Sequence, residues 1–224
     1  MKKTLYICRV MNNTETDSKL QISEFLLQIK AIKLNVEKPF TWASGWKSPI
    51  YCDNRKTLSY PKIRTYIREQ FVKIISDEFG TPDVIAGVAT GGVAIGALVA
   101  QEMGLPFVYV RTSKKDHGLT NQIEGVIQSG QSVVVIEDLV STGTSSLNAV
   151  EALKAEGCKV IGMTSIFNYG FDQAKDAFKK AKVKLVSLTN YDCLIQQAVN
   201  SNYIHENDLL TLKKWREDPA NWKK

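Results

Sequence analysis

Two adjacent carboxylates followed by a run of hydroxyl side chains are the residues of this sequence best suited to chemistry. Glu137 and Asp138 end an apolar run, and residues 139–145, LVSTGTS, follow them directly. If a helix begins near Gly143, its free backbone amides and its dipole favour a bound anion, and glycine lets that anion approach the main chain. The acid pair would repel a phosphate, so we expect it to face sugar hydroxyls or a bound cation.

The same hydroxyl cluster also has a simpler interpretation as an ordinary helix cap, because Ser and Thr with a glycine turn precede many helices. The four apolar residues 133–136 and the two acids before the cluster favour the anion-binding interpretation. The sequence contains neither the GxxxxGK[ST] pattern of a P-loop nor the GxGxxG pattern of a dinucleotide-binding fold.

A second group of candidate residues is cationic and follows another apolar run. The segment 111–118, RTSKKDHG, carries the basic residues Arg111, Lys114, Lys115 and His117. A polar loop of this kind can neutralise a phosphorylated leaving group, although lysine-rich connections are also common as solvated loops. Its place between two strand-like runs favours the functional interpretation.

The hydrophobic pattern predicts the elements that position these residues. Strands are expected at 84–88, 107–111, 132–138, 160–167 and 183–188, alternating with helices at 92–103, 145–156 and 172–181. This alternation predicts an α/β fold with a parallel sheet flanked by helices. Ligands of such folds bind at the carboxyl ends of the strands, where both candidate groups should lie.

The first part of the chain has a different pattern. Residues 18–34 have helical spacing, and a second helix is expected at 60–79, opened by Pro61 and closed by Gly80. Residues 40–55, FTWASGWKSPIYCDNR, are aromatic and turn-rich, which predicts short strands and a loop.

Composition restricts the class of protein. The 224 residues, 44% hydrophobic with net charge +6, fit one globular domain, and the basic residues form no long block, so phosphorylated small molecules explain the charge as well as nucleic acid does. The four cysteines (8, 52, 158 and 193) are far apart, so the sequence indicates neither a zinc site nor disulfide bonds. Reduced thiols in a cytoplasmic protein are therefore expected.

Two apolar segments bear on membrane insertion and targeting. Residues 84–100 are uncharged, but their glycines favour a strand, a tight turn and a helix over a membrane span. The apolar run before Arg9 is too short for the core of a signal peptide, and translation starting at Met1 or at Met11 fits the sequence equally well.

The segment 133–146 resembles the phosphoribosyl pyrophosphate (PRPP) motif of the type I phosphoribosyltransferases. Arg111, Lys115 and His117, followed by Gly118, resemble the mobile catalytic loop of the orotate phosphoribosyltransferases, and residues 40–55 resemble the hood that encloses the base in that family. With residues 87–92, the similarity runs in order over roughly residues 20–190. It implies a single type I phosphoribosyltransferase domain over 1–224, with an N-terminal helix and hood at about 18–60 and a core sheet at about 80–190.

The resemblance also implies roles for individual residues. Lys115, His117 and Asp138 would be catalytic, and Ser141, Tyr51 and Arg55 would contact orotate, although Tyr51 could equally serve hood packing. The implied PRPP-binding residues are Arg111, Lys115, His117, Glu137, Asp138, Leu139, Val140, Ser141, Thr142, Gly143, Thr144 and Ser145.

The same resemblance implies an activity and partners. The product would be orotidine 5′-monophosphate, made in pyrimidine biosynthesis by a cytoplasmic homodimer with shared active sites and no nucleic-acid or membrane partner. Mg²⁺ would be the cofactor, bound mainly through PRPP and without direct protein ligands. Transfer to a purine base, and a non-catalytic regulator that senses PRPP, are the alternatives.

The sequence departs from the family pattern where the family carries several cations. The hood lysine is Ala43, a Tyr-Lys pair is Thr90-Gly91, the lysine after the loop arginine is Thr112, and a base-contacting arginine is Tyr169. Backbone amides, Lys47 or Lys114 are candidate replacements. Near the C-terminus, Trp215 and Trp222 are two helical turns apart, which favours core or subunit packing over a ligand contact.

Overall fold

The computed structural model describes residues 16–42, 44–111 and 122–222. In chain order the elements are α1 (16–28), β1 (Ile32–Leu34), β2 (Phe40–Thr41), β3 (Lys47–Ser48), β4 (Ile50–Cys52), a 3₁₀ helix (Asn54–Ser59), α2 (Pro61–Phe79), β5 (Val84–Val88), α3 (Gly91–Met103), β6 (Phe107–Val110), β7 (Ile123–Glu124), β8 (Ser132–Val140), α4 (Thr144–Ala155), β9 (Lys159–Asn168), α5 (Asp172–Ala181), β10 (Leu185–Asn190), α6 (Tyr191–Asn200) and α7 (Asp208–Glu217). The chain divides into two compact units: the segment up to Asp53 with the segment from Thr189 onwards, and Asn54–Leu188 between them.

The central unit is built on a six-stranded sheet with the order β10-β9-β8-β5-β6-β7. Strand β5 pairs in parallel with β6 and β8, β8 pairs in parallel with β9, and β6 pairs antiparallel with β7. All five residues of β5 are buried, as are residues 133–136 of β8, which is expected where helices cover both faces of a sheet. The α/β prediction is therefore confirmed.

Most predicted boundaries in the central unit agree with the structure to within two residues. Helix α2 begins with Pro61 and ends at Gly80, which has φ 75°, and α5 has the predicted bounds. Strand β8 continues two residues past its predicted end, because Leu139 and Val140 pair with Phe167 and Asn168 of β9. Residues 84–100 form β5, a turn and the start of α3 as predicted, and no helix within the described residues is long and apolar enough to span a membrane.

The prediction of one helix over residues 18–34 is wrong at its C-terminal end. Helix α1 ends at residue 28, Lys30 adopts φ 54°, and Ile32–Leu34 pairs antiparallel with β4. Ala31 and Ile32 are fully buried in this strand-containing arrangement, so their apolar character fits either structure. The prediction of short strands within residues 40–55 is confirmed by β2, β3 and β4.

The other unit brings both ends of the described chain together. In α1, Ile22, Leu26 and Leu27 are buried, and Glu24 accepts a hydrogen bond from Gln197 of α6 at 2.7 Å. Ser23 Oγ lies 2.7 Å from Thr189 Oγ1 in a buried contact. The C-terminal segment is therefore part of the fold of this unit.

Candidate active site

The two acids at the end of β8 differ sharply in environment. Glu137 is buried, accepting hydrogen bonds from Ser146 Oγ at 3.2 Å and from the Asp138 N–H at 3.1 Å, whereas Asp138 is partly exposed. Burial, and next the negative charge of Asp138, raise the pKa of Glu137 well above its usual range. Glu137 thus holds its proton more strongly than an ordinary glutamate.

Asp138 is positioned by contacts from two other elements. Its carboxylate lies against Gly91 at the start of α3, so closely that a Cβ atom on Gly91 would overlap it. Its main-chain oxygen accepts a 2.7 Å hydrogen bond from the side-chain amide of Asn54, which is buried in the 3₁₀ helix. Glycine at position 91, where the family pattern has lysine, therefore provides the space that the Asp138 carboxylate occupies.

Ser141, Thr142 and Gly143 connect β8 to α4. Within the described residues, no side chain caps the start of α4, and Thr142 Oγ1 lies 3.2 Å from Thr144 Oγ1. The first amides of a helix have no partner inside it, so these N–H groups are available to an anion, as are the exposed hydroxyls of Thr144 and Ser145. The geometry therefore favours an anion-binding loop over an ordinary side-chain cap.

Gly143 is required at the start of α4 for two reasons. It adopts φ 83°, a left-handed conformation that other residues rarely adopt. A Cβ atom at this position would also lie 2.9 Å from Cε2 of Phe178, a buried residue of α5. The conformation of the loop thus depends on the packing of α5.

The basic loop is held at both ends by the β6–β7 ribbon. The Arg111 N–H donates to the Gln122 main-chain oxygen at 2.9 Å, and Gln122 Nε2 donates to the Arg111 main-chain oxygen at 2.9 Å. The Arg111 guanidinium also forms a 3.6 Å ion pair with Glu124. Lys115 and His117 lie in residues 112–121, outside the described part of the chain, as do Thr112 and Lys114.

The residues expected to contact a base are found in both units. Tyr51, in β4, is 41% exposed, and its ring centroid is 5.7 Å from that of Phe40. Arg55 is an exposed residue of the 3₁₀ helix, next to the anchored Asn54. Ala43 lies outside the described residues, while Lys47 donates to Thr41 Oγ1 at 2.9 Å.

Tyr169 does not supply a cation or an exposed contact at the end of the sheet. It is 1% exposed, stacks on Phe171 at 5.3 Å and meets Phe167 edge to face at 5.1 Å. An aromatic core therefore takes the place of the arginine expected from the family pattern.

The sequence assigns no positioning role to three residues that contact the acid pair: Ser146, Asn54 and Gly91. Ser146 follows the hydroxyl run and could have been included by extending it through one helical turn. Asn54 and Gly91 are far from Asp138 in sequence, and local patterns carry no signal for such contacts.

Comparison with known proteins identifies the class to which this sheet and loop belong. Residues 57–200 match the sequence model described as the phosphoribosyl transferase domain. Among solved structures, the orotate phosphoribosyltransferase of Aeropyrum pernix has a TM-score of 0.71 at 26% identity, covering 82% of this chain and 99% of that one. Leishmania donovani UMP synthase has a TM-score of 0.74 at 26% identity, covering 88% of this chain and 42% of that one.

Sequence relatives narrow the class further. The orotate phosphoribosyltransferase of Phocaeicola vulgatus is 59% identical over 200 residues, which is 89% of this chain and 94% of the relative. That of Porphyromonas gingivalis is 55% identical over 201 residues, which is 90% of this chain and 96% of the relative. The chain belongs to the orotate phosphoribosyltransferase family.

Proposed function

We propose that this protein transfers the 5-phosphoribosyl group of PRPP to orotate, giving orotidine 5′-monophosphate and pyrophosphate in pyrimidine biosynthesis. The observation that carries the proposal is the end of β8, where a partly exposed acid and a helix start without a side-chain cap lie in adjacent segments. The high identity to relatives named for this activity supports orotate as the base.

The 5-phosphate is assigned to the loop between β8 and α4, defined here as the phosphate loop (residues 139–145). Its hydroxyls and the amides of the first turn of α4 supply donors to the phosphate oxygens, and the helix dipole favours the negative charge. Asp138 then accepts hydrogen bonds from the ribose hydroxyls. Glu137 supports Asp138 from the protein interior by accepting a hydrogen bond from its main-chain N–H.

The reaction is a displacement of pyrophosphate from the anomeric carbon by a ring nitrogen of orotate. A covalent nucleophile from the protein is not required. As the bond to pyrophosphate stretches, positive charge builds on the ribose and negative charge on the leaving group, so catalysis depends on placing both substrates and stabilising this charge. Lys115 is assigned the main part in stabilising the pyrophosphate, with His117 and Arg111 assisting.

Mg²⁺ fits this site as an ion that arrives with PRPP. Among the described residues, no group of three or more His, Cys, Asp or Glu side chains could hold a metal ion. Mg²⁺ commonly keeps several waters and binds through substrate phosphates, so PRPP would supply most of its ligands here. The bound ion would neutralise part of the pyrophosphate charge.

Orotate is assigned to Ser141, Tyr51 and Arg55. Because Tyr169 is packed in the core and Ala43 is uncharged, Arg55 is the cation that we assign to the orotate carboxylate. Its backbone is fixed next to Asn54, which is hydrogen-bonded to the main chain of Asp138. We further propose a cytoplasmic homodimer in which the basic loop reaches the partner's site.

The test is absorbance-monitored consumption of orotate by the purified protein with PRPP and Mg²⁺, beside reactions offered adenine, hypoxanthine and uracil. Of the four bases, we expect only orotate to be consumed, and we expect no consumption when PRPP is omitted. Turnover with a purine base would show that the base is assigned wrongly, while the phosphoribosyl transfer reaction would still hold. PRPP binding without turnover of any base would support the sensing regulator instead.

A further inference from the structure

The hairpin formed by β2 and β3, called here the hood hairpin (residues 40–48), is too short to hold its own shape. Its ladder consists of the pairs Phe40↔Ser48 and Thr41↔Lys47. Even longer two-stranded ribbons are only marginally stable in water, so the conformation of this hairpin must depend on contacts outside its ladder.

Two tryptophans hold the turn of the hood hairpin. The Trp42 and Trp46 rings stack at 6.3 Å with an interplanar angle of 20°, and the Trp42 N–H donates to the Trp46 main-chain oxygen at 2.9 Å. Trp42 Nε1–H also donates to the main-chain oxygen of Ile50 at 3.0 Å, joining the turn to β4. The sequence between these tryptophans contains Ala43, where the family pattern has lysine.

Helix α7 supports the hairpin through Trp215, a fully buried residue. Its Nε1–H donates to the Lys47 main-chain oxygen at 3.2 Å, and its ring meets Trp42 edge to face at 5.7 Å. Trp215 is thus in contact with both β3 and the turn.

Helix α6 in turn fixes α7. The Tyr191 hydroxyl donates to the Leu212 main-chain oxygen at 3.0 Å, and its ring centroid lies 5.6 Å from that of Trp215. A 2.7 Å ion pair between Arg216 and Asp192 joins the same two helices at the surface. The support for the hairpin therefore extends through two helices of the same unit.

We propose that Trp215 is a positioning residue for orotate, acting by holding the hood hairpin in its base-binding conformation. This inference rests on the proposed function. Phe40 of the hairpin packs against Tyr51, which is assigned to orotate, with ring centroids 5.7 Å apart. A loose hairpin would have to be ordered when the base binds, and ordering a loose segment lowers affinity.

The test is Trp215→Phe, which retains an aromatic ring and removes the N–H donor to Lys47. Loss of this part-buried hydrogen bond between α7 and β3 should loosen the hairpin and raise the KM for orotate about five- to tenfold. The KM for PRPP should be unchanged. The control is Phe71→Leu, a change of similar size at a fully buried position in α2, which should lower the melting temperature and leave the ratio of the two KM values unaltered.

An unchanged KM for orotate in Trp215→Phe, or an equal rise in both KM values, would overturn the proposal. Amide hydrogen exchange provides a readout that is independent of activity. Residues 40–52 should exchange faster in Trp215→Phe than in the parent and in Phe71→Leu. If the parent protein does not use orotate, the proposed function fails. Unchanged hydrogen exchange in the hairpin of Trp215→Phe would separately show that Trp215 does not support the hairpin.

Discussion

The two neighbouring acids of β8 have different surroundings. Glu137 faces the interior and Ser146, whereas Asp138 is partly exposed beside the main chain of Gly91. Placing two full negative charges side by side would be costly, and the raised pKa of Glu137 reduces that cost. The raised pKa of Glu137 thus follows from its burial and from the carboxylate beside it.

Replacing Glu137 with glutamine tests this raised pKa through the pH dependence of stability. The folded-state pKa of Glu137 is raised, so its contribution to stability is fully present below its unfolded pKa of about 4.3 and is lost as pH rises through the folded value. Glutamine does not titrate. The melting temperature of Glu137→Gln relative to the parent should therefore increase as pH rises above about 4.3, measured without ligands. A difference that is constant with pH would contradict the assignment.

Replacing Gly91 with alanine tests whether the space beside Asp138 matters for catalysis. The new methyl group must displace the Asp138 carboxylate, which should lower kcat about tenfold or more because the ribose contact is misplaced. Ala97→Ser, at an exposed position in the same helix, is the control and should leave kcat unchanged. Steady-state rates at saturating orotate and PRPP measure both, and parental kcat in Gly91→Ala would refute the role of this contact.

At the scale of elements, the sequence predicts those whose ends carry their own signals. Helix α2 is bounded by Pro61 and Gly80, and the apolar run of β5 ends in glycines, so local chemistry determines both. The end of α1 depends instead on pairing between Ile32 and Cys52. That contact is not encoded in the helical spacing of the apolar residues.

In the candidate site, too, only the features encoded by neighbouring residues could be predicted from the sequence. Glu137, Asp138 and the phosphate loop could be predicted because strand, loop and helix are contiguous in the sequence. Asn54 and Gly91 could not, because they meet Asp138 only after the chain has folded. The burial of Tyr169 likewise depends on packing with Phe167 and Phe171, which the alternating pattern does not specify.

Replacing Gly143 with alanine tests whether the phosphate loop, at the start of α4, binds PRPP. Its positive φ and its contact with Phe178 both disfavour a side chain, so the first turn of α4 should shift and the KM for PRPP should rise. Gly157→Ala is a matched control after the other end of α4, since it also has a positive φ, 80°, and faces a side chain, that of Ser129. Both variants should lower the melting temperature, but an equal effect on the KM for PRPP would contradict the assignment.

For the whole molecule, the open question is which subunit supplies the basic loop to each site. The β6–β7 ribbon fixes both ends of the loop, and the family resemblance implies that its middle reaches the neighbouring subunit. If the sites are shared in this way, catalysis is a property of the dimer, since neither subunit alone would contain a complete set of groups. Defects placed in different subunits should then complement each other.

Co-expression of Lys115→Ala and Asp138→Asn subunits with different affinity tags tests this arrangement. Each variant alone should turn over about a hundredfold more slowly than the parent, by loss of a transition-state contact. If the loop acts across the interface, the doubly purified mixed dimer has one site with both defects and one with neither, and it should show about half the parental activity. If each loop serves its own subunit, both sites of the mixed dimer are defective, and its activity should not exceed that of the separate variants.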